Sequence, residues 1–297
     1  MASDAYINHT KFLDILKEVN AEDPTSTWKT VISLHPTYGK CDSASNVVHD
    51  GNSPKPSGSV RFVCISDTHG KHRKMNIPDG DVLLHAGDIT NVGEPEQLED
   101  FADWLSELPH NHKIVIAGNH DLTIDTEYFK DRKNYKHIIN KKEMNGARAR
   151  KALCEAQKSK FTYLQDDSVV VPGGYKIYGS PWQPEFYNWA FNLSRGEDCA
   201  KMWEKIPVDT DILLTHGPPV GHGDKCKSGH NAGCVDLLAK IADHVKPLFH
   251  IFGHIHEGYG ATTNGSTIFV NASSCTLSYK PSNPPLVFDL PAKDKST

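Results

Sequence analysis

Five short segments hold most of the residues that could do chemistry. They are Ser66-Asp67-Thr68-His69, His85-Ala86-Gly87-Asp88, Ala117-Gly118-Asn119-His120-Asp121, Thr215-His216-Gly217-Pro218-Pro219 and Phe252-Gly253-His254-Ile255-His256. Each follows an apolar run, and four of the five contain glycine. Asp, Asn and neutral His offer oxygen and imidazole nitrogen without thiolate. That mixture suits Mn, Fe, Zn or Co rather than a Ca cage or a Cu(I) site. Seven such donors exceed what one four- to six-coordinate ion takes. They fit two ions sharing a bridging carboxylate, an arrangement that cleaves phosphate esters by in-line attack. A lone Asp-x-His means little, and Gly-Asn-His-Asp alone is a plausible turn. Five such segments in order are what carries the reading.

Something must bring these segments together. The runs before them read as strands: 60–66, 81–86, 113–117, 211–215 and 248–252, with further strands at 175–178 and 267–271. Helices are expected at 95–107, where Leu98, Phe101, Ala102 and Leu105 recur at helical spacing, and at 234–245, with Val235, Leu238, Ile241 and Val245 on one side. Alternating strands and helices predict a layered α/β domain. In open α/β sheets, sites gather beyond the carboxyl ends of the strands. The core strands are therefore expected to end in ligands so that rigid termini can aim them. Residues 1–57 read as a partly irregular N-terminal extension, and 58–297 as the domain. Phe12, Leu13, Leu16 and Val19 suggest a short helix at 10–19, before a polar stretch that favours a linker or strap.

With 297 residues the chain can bury a sizeable core, and its net charge of -5 does not suggest a global field for nucleic acid. No run approaches the roughly 18 apolar residues a membrane span needs. The first residues lack a basic-then-apolar leader, and Ala2 stands where myristoylation needs glycine. The seven cysteines are odd in number and scattered without framework spacing. Reduced thiols in the cytoplasm are the expectation. The four N-x-Ser/Thr sequons, starting at Asn8, Asn192, Asn264 and Asn271, then read as chance matches.

Three further features invite a functional reading. Between 130 and 160 stand eleven Lys or Arg against three acidic residues, a local +8. A solvated insert is the simpler account, a nucleic-acid patch the sharper one. The Gly-rich stretch after His216 places His222, Cys226, His230 and Cys234 four residues apart. A zinc loop is one reading; a loop beside the active site that helps choose substrate is the weightier one. Trp182, Phe186, Tyr187, Trp189 and Phe191 form an aromatic cluster, read as packing first and as a stacking wall for a nucleobase second.

The ordered set D-x-H, G-D, G-N-H-D, H-G and G-H-x-H resembles the calcineurin-like metallophosphoesterase superfamily. Phe62 to His69, Lys113 to His120, Tyr178-Gly179-Ser180-Pro181-Trp182, His256 to Gly260 and Asn283-Pro284-Pro285 resemble its metallophosphoesterase-domain-containing proteins, of the class III cyclic-nucleotide phosphodiesterase type. The resemblance spans about residues 58–291. It implies a four-layer α/β/β/α sandwich with a two-metal site at its strand ends. It implies that Asp67, His69 and His256 hold one metal and Asn119, His216 and His254 the other. Asp88 would bridge them and His120 would be the catalytic, non-ligand histidine. Some relatives lack the first histidine of G-H-x-H; this chain keeps it as His254.

The implied activity is hydrolysis of small phosphodiesters, such as 2′,3′- or 3′,5′-cyclic nucleotides, with two divalent ions. Manganese comes first, with iron, zinc or cobalt as alternatives. A water or hydroxide activated by the metals attacks phosphorus, and His120 assists the leaving oxygen. Protein-phosphatase relatives carry Asp and Arg where this chain has Asn91 and Val92, and a further Arg at Thr123. Those arginines clamp a dianionic monoester, so their absence suits a monoanionic diester. The missing Asp leaves open what orients His120. Two other readings stay in view: a non-catalytic nucleotide-binding or scaffold protein on the same fold, and a nuclease using the basic segment.

Overall fold

The computed structural model describes residues 14–16, 20–34, 42–44, 47–131, 133, 136, 144–155 and 161–293. In chain order the strands are β1 (Asp42–Ser43), β2 (Ser59–Ile65), β3 (Val82–Ala86), β4 (His112–Ile116), β5 (Thr162–Tyr163), β6 (Asp167–Val171), β7 (Tyr175–Ser180), β8 (Gln183–Pro184), β9 (Asn192–Leu193), β10 (Ile212–Thr215), β11 (Phe249–Phe252), β12 (Gly260–Thr263), β13 (Ile268–Asn271) and β14 (Leu286–Pro291). One sheet runs β14-β2-β3-β4-β5, and a second runs β1-β12-β13-β11-β10-β7-β6. Strands β2 to β5 are mutually parallel, as are β7, β10, β11 and β13. Each expected strand falls within a residue or two of an observed one.

Both faces of each sheet are covered, which explains why the central strands are apolar throughout rather than alternating. In β2, Phe62 and Cys64 point one way and Val63 and Ile65 the other. The first pair joins Val82, Leu84, Ile114 and Ile116 against Ile177, Ile212, Leu214 and Ile251 of the second sheet. The other pair joins Leu83 and Val115 beneath Leu98, Phe101 and Leu105 of the helix Pro95–Glu107. On the far side, Leu213, Phe252 and Phe269 pack under Trp203, Leu237 and Leu238, from the helices Glu197–Trp203 and Val235–Lys240. The result is an α/β/β/α sandwich of four layers.

Pro95 opens its helix at a first-turn position, where the missing N–H has no partner to lose. The second expected helix holds to Lys240, then widens into a π turn at Ile241–Val245 and stops at Lys246 with φ 47°. The expected 10–19 helix lies largely outside the described residues; 14–16 are helical and Leu16 is buried. Part of the extension is well placed. The helix Pro24–Leu34 buries Trp28 and Val31 in the outer core, β1 pairs with β12, and His49 bridges Val287.

Candidate metal centre

Each of the five segments sits where a central strand ends. Asp67 and His69 follow β2, Asp88 follows β3, Asn119 and His120 follow β4, His216 follows β10, and His254 and His256 follow β11. The parallel registers put all five ends at one edge of the sandwich. The bridge from Ser66 to Ser273 joins the two sheets there. The chain turns sharply at these points. Asp67, His69, Asp88 and His254 have φ of 51°, 43°, 54° and 66°, a region that costs a side chain energy and is held only by surrounding structure. Glycine makes the close approach possible. A Cβ on Gly253 would lie 2.0 Å from Asp67 Oδ2, and one on Gly118 would lie 2.3 Å from Asp88 Oδ1.

The eight expected residues converge. Asp67, His69 and His256 offer donor atoms within 4.8 Å of one another, and so do Asp88, His216 and His254. Asp88 also groups with His69 and His120, so it faces both sets. Asn119 joins the second set, its Oδ1 lying 2.9 Å from His216 Nε2. Asp67, His69, Asp88, Asn119 and His216 are almost completely buried.

The donor set fits cations. His69 Nδ1 donates to Thr90 O at 3.1 Å, and His256 Nδ1 donates to Thr276 O at 3.1 Å. A carbonyl can only accept, so both rings carry their proton on Nδ1. Their Nε2 atoms face each other 3.3 Å apart. His216 repeats the pattern: Nδ1 donates to Ala86 O at 2.8 Å, which turns Nε2 toward Asn119 Oδ1 and Asp88 Oδ1. Acceptors thus face acceptors in a buried pocket, an arrangement that asks for positive charge between them. Carbonyl groups behind ligating imidazoles are also what sets the ring tautomer in metal sites.

Protons meet that demand in part. Burial alone would lower the pKa of His216, but Asp88 beside it overcomes this and raises it to about 9. Burial opposes His256 in the same way, and Asp67 raises it to about 9. His69 and His254 are lowered by burial, to about 4 and about 3. Burial works against the Asp88 carboxylate too, yet His216 and His120 hold its pKa well below the usual range.

His120 is oriented without a second aspartate. Its Nδ1 donates to the Asn91 carbonyl at 2.7 Å, and its ring lies against Trp189 at 4.1 Å between centroids. Asp121, the last residue of the third segment, is a hub that its position in the sequence does not signal. Its carboxylate accepts from Ile89 N, Thr90 N, Thr90 Oγ1 and Gly118 N, tying the loop after β3 to the loop after β4. Ser273 Oγ donates to Asp67 Oδ2 at 2.8 Å. Tyr279 was not anticipated. It stands edge-on to His69 at 4.7 Å and, with Phe186 and Leu277, lines a 200 Å³ cleft over Asp88, Asn119 and His120.

Among the described residues, the sharper readings of the other features do not assemble, while the simpler ones fit. The aromatic cluster divides: Trp182 and Phe191 pack in the core, Trp189 covers His120, and Phe186 and Tyr187 border the cleft side. The four-residue spacing in the Gly-rich loop does not assemble a quartet among the described residues. His222 stacks on Phe269 at 3.7 Å, Cys226 lines the cleft, His230 meets Ser228, and Cys234 faces Cys199. Half of the basic segment lies outside the described residues. Within them, Arg148 pairs with Glu96 and Glu99, Arg150 donates to Thr123 O, and Lys130 pairs with Glu127. No helix among the described residues is long and apolar enough to cross a membrane.

Known proteins resemble the chain over most of its length. The family described as calcineurin-like phosphoesterase matches residues 60–258. The human protein named metallophosphoesterase domain-containing protein 1 is 46% identical over 253 residues, covering 84% of this chain and 76% of its own. A protein of Xenorhabdus bovienii named probable cyclic nucleotide phosphodiesterase is 32% identical over 74 residues, 25% of this chain and 30% of its own. A solved structure with TM-score 0.51 and 16% identity covers 72% of this chain and 90% of its own, a likeness of fold alone.

Proposed function

The chain belongs to the calcineurin-like phosphoesterase family, whose members use divalent metals, and on that premise we propose that it is a dinuclear phosphodiesterase acting on small diesters such as 2′,3′- or 3′,5′-cyclic nucleotides. The observation that carries this is the placement of Asp88 between two ligand sets. Asp67, His69 and His256 would hold one ion, Asn119, His216 and His254 the other, with Asp88 shared and manganese the first candidate. Bound there, the ions would supply Lewis-acid polarisation of the phosphoryl oxygens and a water activated near neutral pH. The named relative from Xenorhabdus adds support for cyclic nucleotides.

The chain's own residues supply the rest. The Asn91 carbonyl fixes the His120 tautomer, so Nε2 is the atom free to face substrate. From there it would donate a proton or a hydrogen bond to the leaving oxygen. Trp189 holds the ring from behind. Phe186, Leu277 and Tyr279 give the cleft an apolar rim, suited to a nucleobase and to excluding water. Asn91, Val92 and Thr123 stand where a monoester clamp would need charge. The free thiols of Cys64, Cys154, Cys199, Cys226, Cys234 and Cys275 support a cytoplasmic location. We propose that residues 58–297 form the domain and residues 1–57 an extension, whose helix Pro24–Leu34 packs on the outer core.

The test is a substrate panel with added Mn²⁺: 2′,3′- and 3′,5′-cyclic nucleotides, a nitrophenyl diester and the matching monoester. Diester turnover exceeding monoester turnover, and lost in Asp67→Ala and Asn119→Ala, is expected. Equal residual rates in all three proteins would remove the proposal.

A further inference from the structure

A second cluster of metal-type donors lies away from the strand ends. Cys199, in the helix Glu197–Trp203, and Cys234 and Asp236, at the start of the helix Val235–Lys240, present donor atoms within 4.8 Å of one another. The two cysteines are buried and Asp236 is half-buried. They come together because two helices pack side by side on the outer face of the seven-stranded sheet. Neither family motif nor sequence spacing joins Cys199 to Cys234.

The Cys234 sulfur and burial push the Cys199 thiol up, so without metal that thiol holds its proton. Cys234 Sγ accepts from Trp203 Nε1 at 3.2 Å and from Leu237 N at 3.4 Å. N–H groups behind ligands are how metal sites orient them. Asp236 Oδ2 accepts from Gly196 N at 3.3 Å and from the Cys234 thiol at 3.9 Å. Arg195 sits alongside, its guanidinium donating to Ala232 O and Gly233 O at 2.7 Å. Asp236 also lines an open cleft of 450 Å³ with Gly196, Trp203 and Ala239, so the cluster borders solvent on its carboxylate side.

We propose that Cys199, Cys234 and Asp236 form a separate soft-donor site for Zn²⁺, with the fourth position open to water in the cleft. Metal–ligand lengths of about 2.0–2.3 Å in a tetrahedron put donors about 3.5–4 Å apart, so the cluster needs only a small contraction. Binding releases the two thiol protons. Two thiolates and a carboxylate then carry three negative charges, which a divalent ion and Arg195 balance. Thiolate selects zinc here against the harder ions suited to the strand-end site. The ion would fasten the end of the Gly-rich loop, at Cys234, to the helix carrying Cys199. The proposal stands independently of the phosphodiesterase reading.

The probe is Co²⁺, added to full-length protein that has been stripped of metal and kept reduced with a phosphine. Thiolate ligation gives a near-ultraviolet charge-transfer band that oxygen and nitrogen ligands do not. The band should rise in the wild type, bleach on addition of Zn²⁺, and vanish in Cys199→Ser and Cys234→Ser. It should persist in Asp88→Asn and in Cys226→Ser, the thiol that lines the strand-end cleft. Asp236→Asn should keep the fold and bind Co²⁺ at least about tenfold more weakly. Absence of the band in wild type overturns the proposal without any variant. Its survival in Cys199→Ser, its loss in Cys226→Ser, or unchanged affinity in Asp236→Asn does the same.

Discussion

His69 and His256 bring their Nε2 atoms within 3.3 Å of each other, with each Nδ1–H already given to a backbone carbonyl. Without metal, the proton that Asp67 holds on His256 is what lies between the two rings, and a divalent cation bound by both rings and the neighbouring carboxylates replaces it with more charge. Stripping metal should therefore lower stability as well as activity. At a hundredfold excess over Kd, each ion adds about 2.7 kcal/mol. For a domain of this size that is roughly 5–10 °C in Tm by calorimetry. No change in Tm on adding Mn²⁺ to chelated protein would contradict this.

The same residues set a pH dependence. In metal-free protein, Asp88 and Asp67 raise His216 and His256 to about 9 against the opposing effect of burial. A raised histidine pKa stabilises the folded state fully below the unfolded value of about 6.5 and loses that contribution as pH rises toward 9. A metal must displace those protons, so its affinity increases over the same interval. Both effects have one sign. The Tm gain from Mn²⁺ should grow between pH 6.5 and 9, and a gain that is flat or shrinking would refute the assignment.

Trp189 and Asn91 should matter through His120. His120→Ala is expected to lose about 10²–10⁴ in kcat on a cyclic nucleotide, whose alkoxide leaves poorly. The loss should be far smaller on a nitrophenyl diester, which needs no proton on departure. Trp189→Ala should follow the same leaving-group pattern in milder form, lowering kcat with little change in KM, and Trp189→Phe should recover part of it. Equal losses on both substrates would show that neither residue acts at the leaving oxygen.

Asp121 predicts a stability effect rather than a chemical one. Removing its carboxylate strands three backbone N–H groups in a buried turn. Each stranded group costs about 1–3 kcal/mol. Asp121→Ala should lose at least about 3 kcal/mol in urea unfolding.

The extension should be felt at the Gly-rich loop through Trp28. A Cβ on Gly221, which has φ +87°, would lie 2.4 Å from the Trp28 ring. Gly221→Ala should cost about 1–3 kcal/mol from overpacking. It should cost less in a Trp28→Ala background, where the ring is gone. Strict additivity in that double-mutant cycle would mean the ring and the loop do not meet.

What could be read in advance follows from the same physics. Strands covered on both faces are unbroken apolar runs, so β2, β3, β4, β10 and β11 were plain, and the polar residues that end them stood out. Edge strands carry weaker signals. In β6 Val170 faces solvent, β14 is flanked by proline, and β12, next to the short edge strand β1, is Gly-Ala-Thr-Thr. The helix Pro24–Leu34 shows few apolar positions because it is anchored chiefly by Trp28 and Val31. Trp189 and Tyr279 reach the site from loops, where no periodicity marks an inward side chain. Cys199 was hidden because its partner lies on another helix, while spacing pointed to Cys226 and His230.

The central claim is that two ions share Asp88, and equilibrium dialysis against Mn²⁺ tests it most directly. Chelated wild-type protein should take up two ions per chain, and Asp88→Ala should lose tight binding of both together with diester turnover. Uptake of one ion, or two ions retained at wild-type affinity in Asp88→Ala, would contradict the account.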